Sequence, residues 1–113
     1  DSVIDGVGCP SVDEAFAGHF ARQVARVFQR EVHWRALGRT GACARELGET
    51  LLADVPDGAW ELIVVSVGVN DVSGLTRSAA FHARLSTLVD GLRARAPRAT
   101  VLLCGLPRMQ HFP

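Results

Sequence analysis

Ser2 is followed within a few residues by Gly6-Val7-Gly8, and two later loops carry residues that a reactive serine would need. Leu37-Gly38-Arg39-Thr40-Gly41-Ala42 puts two glycines ahead of a helical stripe. Gly68-Val69-Asn70-Asp71 follows the apolar run 62–67, so Asn70 comes three residues after a buried strand. Serine is a weak nucleophile until a base takes its proton. Acyl transfer also needs N–H donors where negative charge develops on the oxyanion. A glycine N–H at the start of a helix can donate in this way, helped by the positive helix end. So can an asparagine side chain over the end of a strand. Each feature also has a plainer reading: Ser2 as a polar residue near a terminus, Gly38 and Gly41 as turn glycines, Asn70-Asp71 as a turn-forming pair. Asp71 reads as structural, a carboxylate that accepts backbone N–H groups and holds the loop. Asp1, Asp5 and Asp71 do not call for a metal.

The elements that must position these loops follow from the spacing of apolar residues. Ser11 with Glu14 three residues on has the form of a capping box. It leads into a helix with Phe16, Phe20, Val24, Val27 and Phe28 on one face. Residues 32–37 read as a short strand, and Thr40 as a cap for the next helix. Ala44, Leu47, Leu51 and Val55 stripe that helix, which Pro56-Asp57-Gly58 stops. The run 62–67 is continuously apolar apart from Ser66, the pattern of a parallel strand covered on both faces. A loop over 68–75 leads to a third helix marked by Phe81, Leu85, Leu88 and Leu92, ending before Pro97. Residues 100–104 form a last short strand, with Gly105-Leu106-Pro107 as a loop. Strict alternation of helix and strand implies an α/β fold with a parallel sheet and helices on both faces. In such sheets function gathers at the C-terminal ends of the strands, where all three candidate loops fall.

The bulk composition narrows the function classes. The length of 113 residues allows one domain, and 48% hydrophobic residues suffice for a core. Twelve basic residues balance twelve acidic ones, so nothing draws the chain to nucleic acid or an anionic membrane. Every basic residue is Arg, the bias of a GC-rich bacterial genome. Arg22, Arg26 and Arg30 at four-residue spacing read as a solvated helix face. Cys9, Cys43 and Cys104 are odd in number and far apart, without zinc-ligand spacing. This favours a reducing compartment such as the cytoplasm.

Taken in order, these blocks resemble the SGNH, or GDSL, family of serine esterases and lipases. Asp1-Ser2-Val3 looks like the Gly-Asp-Ser block, without its leading glycine and with Val3 where Leu is frequent. The segment 37–42 resembles the glycine block, and Gly68-Val69-Asn70-Asp71 matches the Gly-x-Asn-Asp block. The resemblance implies a three-layer α/β/α, flavodoxin-like parallel sheet, incomplete in this chain. It implies Ser2 as nucleophile, and an oxyanion hole made of the Ser2 N–H, the Gly41 N–H and the Asn70 side chain. Gly41 is preferred because it is taken to open the helix directly; Gly38 is the alternative. Substrates would be small esters, thioesters or acetylated compounds, with no cofactor, metal or nucleic acid.

The family's late Asp-x-x-His block is missing from this sequence; Arg108 stands where an Asp would precede His111. The resemblance therefore implies an internal piece of one larger domain, with the first strand and the Asp and His lying outside it. The flavodoxin-type order puts that strand between 32–37 and 62–67, so these residues alone are expected to be marginal or aggregation-prone. His19, His33 and His82 read as structural. His111 and Phe112 read as substrate-facing, in contact with an acyl group. A non-catalytic ligand-binding module on the same fold is the alternative, since fold does not fix function. A nucleotide-binding domain is disfavoured, because neither GxGxxG nor GxxxxGK occurs.

Overall fold

The fold is described from a computed structural model over residues 2–106 and Arg108. The chain divides into two compact units, 1–41 and 42–113. The first holds two helices, α1 (Ser2–Asp5) and α2 (Phe16–Phe28), with a 3-10 turn over Val12–Glu14 between them. The second runs α3 (Ala44–Glu46), a π-helical segment Leu47–Leu51, α4 (Leu52–Asp54), β1 (Leu62–Val65), α5 (Val69–Ser73), α6 (Ser78–Arg95) and β2 (Thr100–Leu103).

The two apolar runs become the two strands, and they pair in parallel. Leu62 faces Thr100 and Val65 faces Leu103. The ladder continues at both ends, from the Thr100 N–H to the Glu61 carbonyl at 3.0 Å and from the Cys104 N–H to the Val65 carbonyl at 2.9 Å. Parallel strands need a crossover, and α5 and α6 supply it. Leu88 and Leu92 of α6 are each 4% exposed, which confirms the leucine stripe as the buried face. Arg93 and Arg95 lie in the last turn, where positive charge suits the helix dipole. Pro97 disfavours the α conformation at Ala96, and Ala96 sits at φ −134°, ψ 72°. The Arg95 guanidinium then donates to the Val55 carbonyl at 3.0 Å, tying this end of α6 to the end of α4.

Three expectations fail in informative ways. Residues 31–39 form no strand. Their apolar content is that of a strand, but a strand exists through its ladder, and among the described residues the only ladder is β1 with β2. Ser11 makes no side-chain cap bond; the residues after it close the 3-10 turn, and α2 starts only at Phe16. The expected apolar face of α2 is not its buried face. Val27 is 73% and Phe28 68% exposed, whereas Gly18 and Ala21 are buried. The reason is local. The turn folds back on the helix so closely that a Cβ at Gly18 would overlap the Asp13 backbone. The Arg22 guanidinium secures that approach by donating to the Asp13 carbonyl at 2.8 Å.

Gly18→Ala should therefore cost about 1–3 kcal/mol through overpacking. Gly48→Ala, in the π-helical segment with open space around the added Cβ, should be neutral or stabilising by up to about 1 kcal/mol. Thermal melts of the two variants check this; equal midpoints would contradict it.

Candidate active site

In the first unit, Ser2 opens α1 and is half-buried. Its carbonyl receives the N–H groups of Gly6 at 3.0 Å and Val7 at 3.1 Å, which closes the turn. Asp5, at the other end of α1, is the anchor of this region. Its carboxylate accepts the Thr40 hydroxyl at 2.6 Å and the Thr40 N–H at 3.0 Å. The hydroxyl bond first, and the backbone bond second, hold the Asp5 carboxyl below its ordinary range. Gly38 lies against the Asp5 backbone so closely that a Cβ there would overlap it. The Ser2 turn and the 38–41 loop are thus brought together.

Two expectations need correction here. Thr40 does not cap the following helix, because both of its donors are committed to Asp5. Gly41 does not open that helix either. Helix α3 starts at Ala44, and Cys43 caps it through a capping box with Glu46. The Cys43 N–H donates to Glu46 Oε2 at 2.9 Å. Gly41 instead takes φ +80° with open space where a Cβ would stand, while Gly38 makes the close approach.

In the second unit, β1 leads through Gly68, at φ +124°, into α5. The segment expected as a loop is thus partly one helical turn. Its first bond runs from the Val72 N–H to the Gly68 carbonyl at 2.9 Å. Asn70 lies in this turn, and its Nδ2 donates to the Ala42 carbonyl at 3.0 Å. A primary amide carries two N–H groups, so the second can serve another acceptor. Asp71 is 2% exposed. Its Oδ2 accepts the Ala44 N–H at 2.8 Å, and its carbonyl accepts the Thr76 N–H at 2.8 Å. The structural role expected for Asp71 is the one it has. Beside it lies a cavity of about 180 Å³ lined by Gly68, Val72, Phe81 and Leu106 among others.

The chain matches the model of the GDSL-like Lipase/Acylhydrolase family over residues 1–113. It belongs to that family. The α/β fold follows, and the helices with a parallel two-stranded sheet fit it. Membership supports ester hydrolysis as the general chemistry and a small ester as the general kind of substrate. Comparison with curated proteins and with solved structures gives no match.

Against the family's blocks, Ser2 and Gly41 lie in the first unit and Asn70 in the second. His111 and Phe112 lie outside the described residues. His33 pairs with Glu31 at 3.5 Å, and the His82 ring lies 6.2 Å from that of Phe81. The sequence reading missed Ala42, Cys43 and Thr40 as partners. Cys43-x-x-Glu46 has capping-box spacing and was legible with cysteine in the serine position. Ala42 contributes only its carbonyl, which carries no mark in the sequence.

Two outcomes follow. Thr40→Val should raise the Asp5 carboxyl toward its ordinary range, read by NMR titration. A depressed carboxyl contributes stability above the ordinary carboxylate range and loses it as pH falls through the lowered value. Thr40→Val should therefore show a smaller acid-induced loss of thermal stability than the parent, and an unchanged Asp5 titration would refute the link. Asp71→Ala should cost about 1.5–3 kcal/mol by removing a charged acceptor from the Ala44 N–H. Urea denaturation measures it, and a loss under about 0.5 kcal/mol, ordinary for a surface change, would contradict it.

Proposed function

We propose that this GDSL-like protein hydrolyses carboxylic esters or thioesters through an acyl-enzyme on Ser2. A general base takes the Ser2 hydroxyl proton as Oγ attacks the carbonyl carbon. The carbonyl π electrons move to oxygen, and the oxyanion is held by the Ser2 N–H, the Gly41 N–H and the Asn70 side chain. Collapse expels the alcohol or thiol with a proton from the base. Water then repeats the sequence at the acyl-enzyme, releasing the acid and restoring Ser2. The family resemblance assigns the base to a histidine oriented by an aspartate. It requires no cofactor or metal.

The observation that carries this reading is the Asn70 amide. A turn-forming asparagine would satisfy its side chain within its own turn. Asn70 donates to Ala42, 28 residues away in sequence, and so has a fixed direction, and a primary amide carries a second N–H. A donor fixed before the reaction has no reorganisation cost when charge develops. Within the first unit, the Asp5–Thr40 bonds support the reading because they join the Ser2 turn to the glycine loop.

Labelling the full chain with a fluorophosphonate probe, with the adduct located by peptide mass spectrometry, tests it. The expected adduct is on Ser2 and disappears in Ser2→Ala. Asn70→Ala should lower kcat on a small aryl ester by about 10²–10³-fold, the usual cost of one oxyanion donor. A folded protein without adduct on Ser2 would refute the proposal.

A further inference from the structure

Asp71 is a buried carboxylate with one oxygen bonded and the other not. Oδ2 takes the Ala44 N–H, while Oδ1 has no hydrogen-bond partner among the described residues. A buried charge in that condition is unstable unless a counter-charge faces it. Arg84 faces it: its Nη1 lies 3.9 Å from Asp71 Oδ1. The Arg84 side chain is 36% exposed and that of Asp71 2%, so the guanidinium reaches inward from a partly solvated position. Its direction comes from the helix. Arg84, Leu88 and Leu92 are spaced by four residues along α6, and residues so spaced share a face. The two leucines are buried, and the same face carries Arg84 toward Asp71.

We infer that Arg84 is a positioning residue that fixes, through Asp71, the direction of the Asn70 amide. Asn70 and Asp71 are consecutive in α5, and each holds the segment that begins α3. Asn70 Nδ2 is bonded to the Ala42 carbonyl, and the Ala44 N–H is bonded to Asp71. The two bonds run in opposite senses, two residues apart on that segment. Neither α5 nor the segment can turn relative to the other while both persist. With the Arg84 charge removed, the buried Asp71 carboxylate is left without a counter-charge and rotates toward solvent. That rotation weakens its hold on Ala44, and the Ala42 carbonyl that orients Asn70 then moves. Arg84 need touch no reacting atom for this. A shift of about 1 Å in a catalytic group is enough to cost as much as a hundredfold in rate.

The catalytic consequence rests on Asn70 being an oxyanion donor; the positional link does not. The test therefore reads both. In the full chain, Arg84→Gln should shift the side-chain amide resonances of Asn70, and Arg84→Lys should restore them in part. In the Asp71→Asn background, Arg84→Gln should leave the Asn70 resonances where Asp71→Asn alone puts them. With an aryl ester, Arg84→Gln should lower kcat roughly tenfold with KM unchanged. Arg84→Gln that leaves the Asn70 resonances of the parent unmoved would overturn the inference. So would equal shifts in the parent and in the Asp71→Asn background, which would mark Arg84 as acting by another route. Should the resonances move as expected while Asn70→Ala leaves kcat unchanged, the positional link stands and the oxyanion reading fails.

Discussion

The Asp71 carboxylate holds the Ala44 N–H at 2.8 Å from a site that is 2% exposed. A charge has been withdrawn from water so that the turn after β1 can grip the start of α3. Withdrawal of this kind costs several kcal/mol unless hydrogen bonds and a counter-charge offset it. Ala44 supplies the bond and Arg84 the charge. Much of the second unit follows from that grip. α5 cannot drift from α3, the Asn70 amide finds the Ala42 carbonyl, and Gly68 must turn at φ +124° to deliver the chain into α5. Gly68 is also crowded, since a Cβ there would come within 2.9 Å of a Leu106 methyl and 3.2 Å of the Phe81 ring.

The first unit uses the same device at its surface. The Asp5 carboxylate takes two bonds from Thr40 and so couples the turn that begins at Ser2 to the loop that ends at Gly41. In both units a carboxylate joins two segments distant in sequence by accepting backbone N–H groups. Neither carboxylate is required by the chemistry of ester cleavage. They hold the segments that carry the proposed site residues.

The sequence was most legible where a residue's neighbours in the chain decide its structure. The runs that became β1 and β2 are apolar over at least four consecutive positions, 62–65 and 101–104, and their parallel pairing followed from the helix between them. The α6 leucines and Pro97 fixed that helix's face and end. The Gly-x-Asn-Asp motif was legible as chemistry and pointed to the family to which the chain belongs. What failed depended on remote partners. Residues 32–37 have strand composition but no ladder among the described residues. Thr40 looked like a helix cap, and a carboxylate 35 residues away took both its donors. Phe28 and Val27 looked like core, yet the 3-10 turn that settles on Gly18 selects a different face. The Arg84 contact was hidden for the same reason, because an arginine in line with the α6 leucines carries no sign of the carboxylate it will meet.

Asn70, held by the Ala42 carbonyl, is proposed to present its other N–H to an oxyanion. A crystal structure of the full chain bearing a covalent phosphonate adduct tests this directly. The expected result is an adduct on Ser2, with Asn70 Nδ2 within hydrogen-bond distance of both the Ala42 carbonyl and the phosphonyl oxygen. An adduct whose phosphonyl oxygen has no Asn70 donor, or an Asn70 turned away from Ala42, would contradict it.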